Sequence, residues 1–300
     1  MPKAIRTLKK RDLLLTLMLL PTLIIIFIYR IAPSVVLVIA FKELDARRGI
    51  WGSDWVGLRN FEMLFSRQFG RILFNTISYN IVFVALITVL SLLIAYALRQ
   101  IKSQKLVSFL LTLFMIPSLL SWIMVTYISR TFLDFNGLVN SLFITLGREP
   151  VNWFITIEPW RFIIVFAYLW RNVGFFVLIY YSAMASIKKE YIYASAVDGA
   201  SRLSQFYRVY IPLIGKTISV ILLFAMADIL TSDVGLFFNL TRDSGMLYPV
   251  TDVIDTFMFR TLRAGDFEIS VAANFIQSIG GLLMVLLVLV FYWRAMKRHE

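Results

Sequence analysis

Six apolar runs, each long enough to cross a lipid bilayer, limit what this chain can fold into more than any other feature. A hydrocarbon core of roughly 30 Å needs about 20 apolar residues in helical form. Runs of that kind lie near residues 13–41, 72–98, 106–128, 162–185, 213–236 and 272–293. A helix satisfies all its backbone polar groups within one segment, which lipid demands. The expectation is an all-α polytopic membrane protein with six transmembrane helices. Hydrophobic residues make up 59% of the 300, well above the share in an ordinary soluble domain. No intervening loop is long enough for a core of its own, so residues 1–300 read as a single transmembrane domain. The first run follows a basic start, MPKAIRTLKKRD, like that of a signal peptide. It is too long for the apolar region of one and no A-x-A-like cleavage site follows, so it should stay attached as a helix.

The formal net charge of +12 has a simpler cause than nucleic-acid binding, because basic residues at the ends of apolar spans hold those ends in the cytoplasm. The partner to expect is membrane lipid. Six spans put both termini on one side. The segments 1–12, 99–105, 186–212 and 294–300 carry 15 Lys and Arg against 4 acids. The longer segments 42–71, 129–161 and 237–271 carry 12 against 12. The basic density places both termini in the cytoplasm. Five arginines in 42–71 run mildly against this orientation and are partly balanced by Glu43, Asp45, Asp54 and Glu62.

Several chemistries are closed to the chain. It has no cysteine and a single histidine, His299. A Cys/His metal site, a disulfide framework or a Cys or His catalytic dyad cannot be built, and carboxylates do not cluster within one span. No catalytic residue, resident metal or cofactor is expected. Gly215-Lys216-Thr217 imitates the end of a phosphate-binding loop, but Tyr210 stands where that motif needs glycine and an apolar helix surrounds it.

Four charged residues fall within the apolar runs: Arg30, Arg171, Asp228 and Asp233. Charge at bilayer depth costs roughly 2.5 to 3.5 kcal/mol even on lenient scales. Arg30, 17 residues past Leu13, reads as a side chain that snorkels to the outer surface. Arg171 and Asp228 read either as an ion pair between neighbouring helices or as part of a translocation path. Asp233, near the outer end of its run, reads as a helix-end or pairing group, with substrate contact as the alternative. Trp122, Tyr127, Trp170 and Tyr180 suit interfacial aromatic belts as well as stacking on the apolar face of a ligand.

The segment 186–212 is the longest cytoplasmic loop. Leu203, Phe206, Tyr207 and Tyr210 recur at helical spacing and predict one apolar stripe. Gly199 permits a sharp reversal before that helix, and Pro212 suits the first turn of the next span. The loop reads as helix, turn, helix along the inner membrane face, a ridge for a soluble partner.

These residues resemble a signature of the permease subunits of binding-protein-dependent ABC importers: Glu-Ala-Ala, three residues, Gly, nine residues, then Ile-x-Leu-Pro. Ala194, Asp198, Gly199, Ala200, Ser201, Val209, Ile211 and Pro212 fit it, and the spacing from Gly199 to Pro212 matches. Tyr193 and Ser195 depart from it, standing where the family has Glu and the second Ala. The first departure puts in doubt an ionic contact with the ATPase and leaves the docking shape intact. Residues 28–45, 55–65, Asn75-Thr76 and 232–260 look like permeases of carbohydrate importers, in the branch serving oligosaccharides and polysaccharide fragments, related to maltose permeases.

The resemblance implies the type I ABC importer permease fold, with 186–212 as the coupling loop to an ATPase. It implies a second permease subunit, a cytosolic ATPase dimer that binds ATP and magnesium, and an extracytoplasmic sugar-binding protein. The location implied is the bacterial cell membrane. A secondary, ion-coupled transporter is the alternative. Against it stand the missing internal repeat and the loop signature, and a membrane enzyme lacks the residues it needs.

Overall fold

The computed structural model describes residues 10–297, with side chains over 16–290; the basic start at 1–9 and His299 lie outside the described residues. Helix α1 (Lys10–Ile26) continues through a π turn (Phe27–Ile31) and a 3-10 stretch (Ala32–Phe41). Strands β1 (Lys42–Glu43) and β2 (Asp54–Trp55) pair antiparallel, Lys42 opposite Trp55, around the short α2 (Gly49–Gly52). Ser66 then caps α3 (Arg67–Arg99), its hydroxyl accepting from the Phe69 amide at 3.2 Å. There follow α4 (Gln104–Leu119), α5 (Trp122–Leu133), α6 (Leu138–Thr145) and α7 (Trp160–Ala185). After these come α8 (Lys189–Val197), α9 (Arg202–Gln205), α10 (Ile211–Leu213) and α11 (Gly215–Ala227). The chain closes with α12 (Tyr248–Thr251), α13 (Ile254–Ala264) and α14 (Phe267–Lys297).

The centre of the bundle is α3 against α7, with α4 on the far side of α7. A Cβ on Gly174 would lie 1.9 Å from the Phe114 carbonyl oxygen, so α4 and α7 cross backbone against backbone, as small residues allow in lipid. The 3-10 stretch, α11 and α13 pack on α14. By contrast, α1 leaves its side chains exposed on every face from Thr16 through Ile26, as a helix surrounded by lipid does.

Four helical segments are each long and apolar enough to span alone: Thr16–Phe41, Arg67–Arg99, Trp160–Ala185 and Phe267–Val290. They correspond to the runs at 13–41, 72–98, 162–185 and 272–293. The other two expected spans are not straight helices. The run at 106–128 breaks at Leu120 and Ser121, where Gln104–Leu119 and Trp122–Thr145 meet at 94°. The run at 213–236 stays helical only to Ala227, and Arg202–Leu213 enters it at 68°. Counting each bent pair as one span restores six.

Both departures have polar causes that an apolar run conceals. Beyond Ala227, Asn80 on α3 donates to the carbonyls of Ile229 (2.8 Å) and Thr231 (3.0 Å), which satisfies backbone that has left the helix. At the other break, Ser121 caps α5 by accepting from the Met124 amide, and Arg171 takes the freed Leu120 carbonyl at 2.9 Å. The turn into the fifth span falls at Ile214 (φ −96°, ψ 9°), two residues past Pro212, so the proline starts α10 and not the span itself.

Candidate functional site

The loop between α7 and α11 is built as helix, turn, helix, and Gly199 is its hinge. Gly199 has φ +75°, a left-handed value that a side chain rarely tolerates. Its amide donates to the Ala196 carbonyl (3.1 Å) and that of Ala200 to the Ser195 carbonyl (3.0 Å). This pairing closes a helix C-terminus by returning two amides to its last free carbonyls. Ser201 then caps α9, accepting from the Ser204 amide at 3.3 Å.

The predicted stripe divides in two. Phe206 and Tyr210 are buried, while Leu203 and Tyr207 are exposed. A π turn at Phe206–Tyr210 widens the helix, so residues four apart share the inner face and those between them leave it. Phe206 and Tyr210 pack on the Tyr96 ring of α3 at 5.0 and 5.1 Å, and the Tyr96 hydroxyl donates to the Arg202 carbonyl at 2.7 Å. Leu92, Ala95, Tyr180, Met184 and Ile214 complete this cluster. The loop is thus fastened to α3 and α7 on one side. Its other side exposes Tyr193, Ala194, Val197, Asp198, Gly199 and Ser201, with Val197 at 88%. Ala200, Val209 and Ile211 are half-buried, and Pro212 is exposed.

At the other end of α3, Asn75 donates to the carbonyls of Pro249 (3.2 Å) and Asp252 (3.1 Å). Tyr79 donates to the Val250 carbonyl at 2.8 Å, and the Thr76 hydroxyl accepts from the Ile254 amide at 3.0 Å. These three residues, with Asn80, fasten the start of the cap, the segment 229–264, to the helix. Only Asn75-Thr76 drew notice in the sequence, though polar residues at 75, 76, 79 and 80 form a one-sided row in an otherwise apolar span. From Asn75 to Tyr96 the helix covers about 30 Å, so cap and loop occupy opposite ends of the molecule.

Between these ends lies a cavity of about 660 Å³ framed by α3, α7 and α11. Asn80, Tyr168, Asn172, Asp228 and Asp233 supply its polar lining, and Phe83 and Tyr168 stack at 3.8 Å on its wall. Asp228 and Asp233 therefore share one cavity. Of the two readings offered for Arg171 and Asp228, the ion pair does not form among the described residues. Arg171 instead donates to the Leu120 carbonyl, reaches Asn172 Oδ1 at 3.4 Å and lies 4.6 Å from the centre of the Trp122 ring. The helix break exposes a carbonyl that no carboxylate had to replace. Asp233 accepts from the Trp122 indole N–H and, through Oδ1, from the Gly235 amide at 2.8 Å. Of the four interfacial aromatics proposed, Trp122 and Tyr180 are buried in packing, whereas Tyr127 and Trp170 stay exposed.

In the cap, Arg260 pairs with Asp252 at 2.5 Å and Asp243 at 3.3 Å. Asp255 accepts from the Ser232 amide (2.6 Å) and from Gln277 (3.0 Å). Burial nonetheless pushes its carboxyl up to about 6 against those hydrogen bonds, with the charge of Asp233 adding to the rise.

Apolar helices around a polar-lined cavity, with an exposed helical ridge fastened to the core at one end, are the features of a membrane transport subunit. The chain belongs to the family of binding-protein-dependent transport system inner membrane components, whose model matches residues 87–295. It is 30% identical over 279 residues to the polygalacturonan/rhamnogalacturonan transport system permease protein YteP of Bacillus subtilis (strain 168), covering 91% of this chain and 85% of the relative. To protein LplB of the same strain it is 26% identical, over 92% and 87%. Among solved structures, a chain of a bacterial ABC transporter involved in import of the acidic polysaccharide alginate superposes with a TM-score of 0.85 at 28% identity, covering 95% of this chain and 96% of that one. These matches establish the type I importer permease fold and set aside the ion-coupled alternative.

Proposed function

We propose that the chain forms one half of the path by which an oligosaccharide, handed over by an extracytoplasmic binding protein, enters the cell. In this reading a second permease subunit supplies the other half, and a cytosolic ATPase dimer holding ATP and magnesium drives the pair. The observation that carries it is the ridge at 189–213, exposed outward and fastened inward by Phe206 and Tyr210. Its exposed Tyr193 offers a ring where the family's glutamate would make an ionic contact. Both termini and the ridge face the cytoplasm, as the basic density of their segments directs. Alginate-bound periplasmic protein sits on a structural relative with a TM-score of 0.82, and the relatives' names supply the saccharide class.

The test is uptake by proteoliposomes holding both permeases and the ATPases, supplied with the binding protein and radiolabelled oligosaccharides. Uptake should require ATP inside and binding protein outside. Uptake driven by an ion gradient without the ATPases overturns the reading.

A further inference from the structure

A second pocket, of about 600 Å³, opens beside the cap, between α5, the π turn at Gly235–Asn239 with the chain just after it, and the end of α13. Its volume falls within the roughly 300–1,000 Å³ usual for small-ligand sites. Its lining is unusual for its charge: Arg130, Arg242 and Arg263 converge on it, with Thr126, Tyr127 and Asn239 between them. Asp243 is the only acid in the lining, and it is already engaged by Arg260 (3.3 Å) and the Tyr248 hydroxyl (3.0 Å).

Three details mark the pocket as built. Arg242 and Asp243 both hold left-handed backbone angles, φ 59° and 48°, which cost side-chain-bearing residues free energy and persist where a site needs them. Arg242 is further aimed by Asp134 at 2.8 Å and by the Phe154 ring at 4.1 Å. The Nε of Arg130 is buried and has no hydrogen-bond partner, and among the described residues neither Arg130 nor Arg263 has a carboxylate within 4 Å. Arg130 lies 5.5 Å over the Tyr127 ring and Arg263 5.9 Å over Phe259; these contacts occupy guanidinium faces and leave the N–H edges of both forks to grip an oxyanion from outside the chain, with the Phe238 ring beside them. The pocket is also neighbour to the cavity across a single turn. The same π turn gives Leu236 to the cavity and Phe238 and Asn239 to the pocket.

We propose that this pocket is an outer subsite for the carboxylate of an acidic sugar residue, a uronate unit gripped by Arg130 and Arg263 before the chain of sugars moves into the cavity. The proposal rests on the reading that the chain carries a saccharide. Carboxylate geometry suits arginine forks better than a neutral hydroxyl does, and stacking on the aromatic rings would hold the sugar face.

The experiment compares trigalacturonate with its fully methyl-esterified form in proteoliposomes of the complete complex, for R130Q, R263Q and their lysine counterparts. The ratio of acid to ester uptake should fall roughly tenfold in each glutamine variant, the loss of one charge-assisted contact. R130K and R263K should recover part of the ratio, since they keep charge and lose the fork. Size-exclusion co-elution of all subunits identifies variants that fail to assemble. For such a position the lysine variant alone decides, and a wild-type ratio there overturns the proposal. Equal loss for acid and ester, as a docking contact with the binding protein would produce, overturns it too. So does a change that appears only when phosphatidylglycerol is present, since lipid headgroups would then be the ligand. If neither uronide moves while malto-oligosaccharides do, the carboxylate subsite falls and the saccharide reading stands. If no saccharide moves, both fall.

Discussion

At the scale of single residues, Arg171 shows how a charge at bilayer depth is solvated by neutral groups. Its guanidinium spends its donors on the Leu120 carbonyl and Asn172 and lies over Trp122. Removing it by Arg171→Leu strands that carbonyl, and a loss of about 1–3 kcal/mol is expected. Asp228 shares no partner with it, so Arg171→Leu and Asp228→Leu should add to within about 0.5 kcal/mol in thermal melts of the purified complex. Recovery in the double variant would show a pair after all. Asp255 supplies a pH signature. Its folded value of about 6 lies above the unfolded 3.8, so the stability it contributes is complete below pH 4 and is lost as pH rises towards 6. The loss approaches about 3 kcal/mol. Asp255→Asn keeps an oxygen for Ser232 and Gln277. It should melt higher than wild type at pH 7, with the difference vanishing near pH 4; a difference independent of pH would refute the assignment.

Among the elements, the ridge depends on one backbone angle. A Cβ on Gly199 would meet nothing within 4 Å, so the penalty of substitution is conformational and grows with β-branching. Gly199→Ala should cost about 1 kcal/mol locally and Gly199→Val more. The valine variant should insert normally yet lose ATPase co-purification and binding-protein-stimulated hydrolysis; wild-type levels of both would remove the ridge from transmission. This hinge was legible because glycine at a helix end, then a serine cap, is a local signal. The breaks at 120–121 and at 228 were not. The groups that take up their freed carbonyls, Arg171 and Asn80, lie 51 and 149 residues away in sequence, and the local marks beside the breaks, Pro117 and Asp228, are single residues in long apolar runs. Likewise the stripe at 203–210 carried the right residues in the wrong grouping, because a π turn shifts facing without changing composition.

For the molecule as a whole, span number came directly from hydropathy, and orientation is a matter of counted charge. With no native cysteine, Val197→Cys and Trp51→Cys, at positions 88% and 75% exposed, provide a direct test. An impermeant thiol reagent should label Trp51→Cys in intact cells and Val197→Cys only after permeabilisation, and the reverse pattern would invert the topology. The cap was the least legible part, because it is held by side chains of α3 reaching backbone carbonyls that are far off in the chain. Those same contacts have a thermodynamic consequence. A single continuous helix grips the cap by Asn75 and Tyr79 and the ridge by Tyr96, so events at its two ends are tied to one equilibrium. Within the proposed complex, linkage makes that tie reciprocal: whatever factor docking of the binding protein adds to nucleotide affinity inside, nucleotide must add to docking outside.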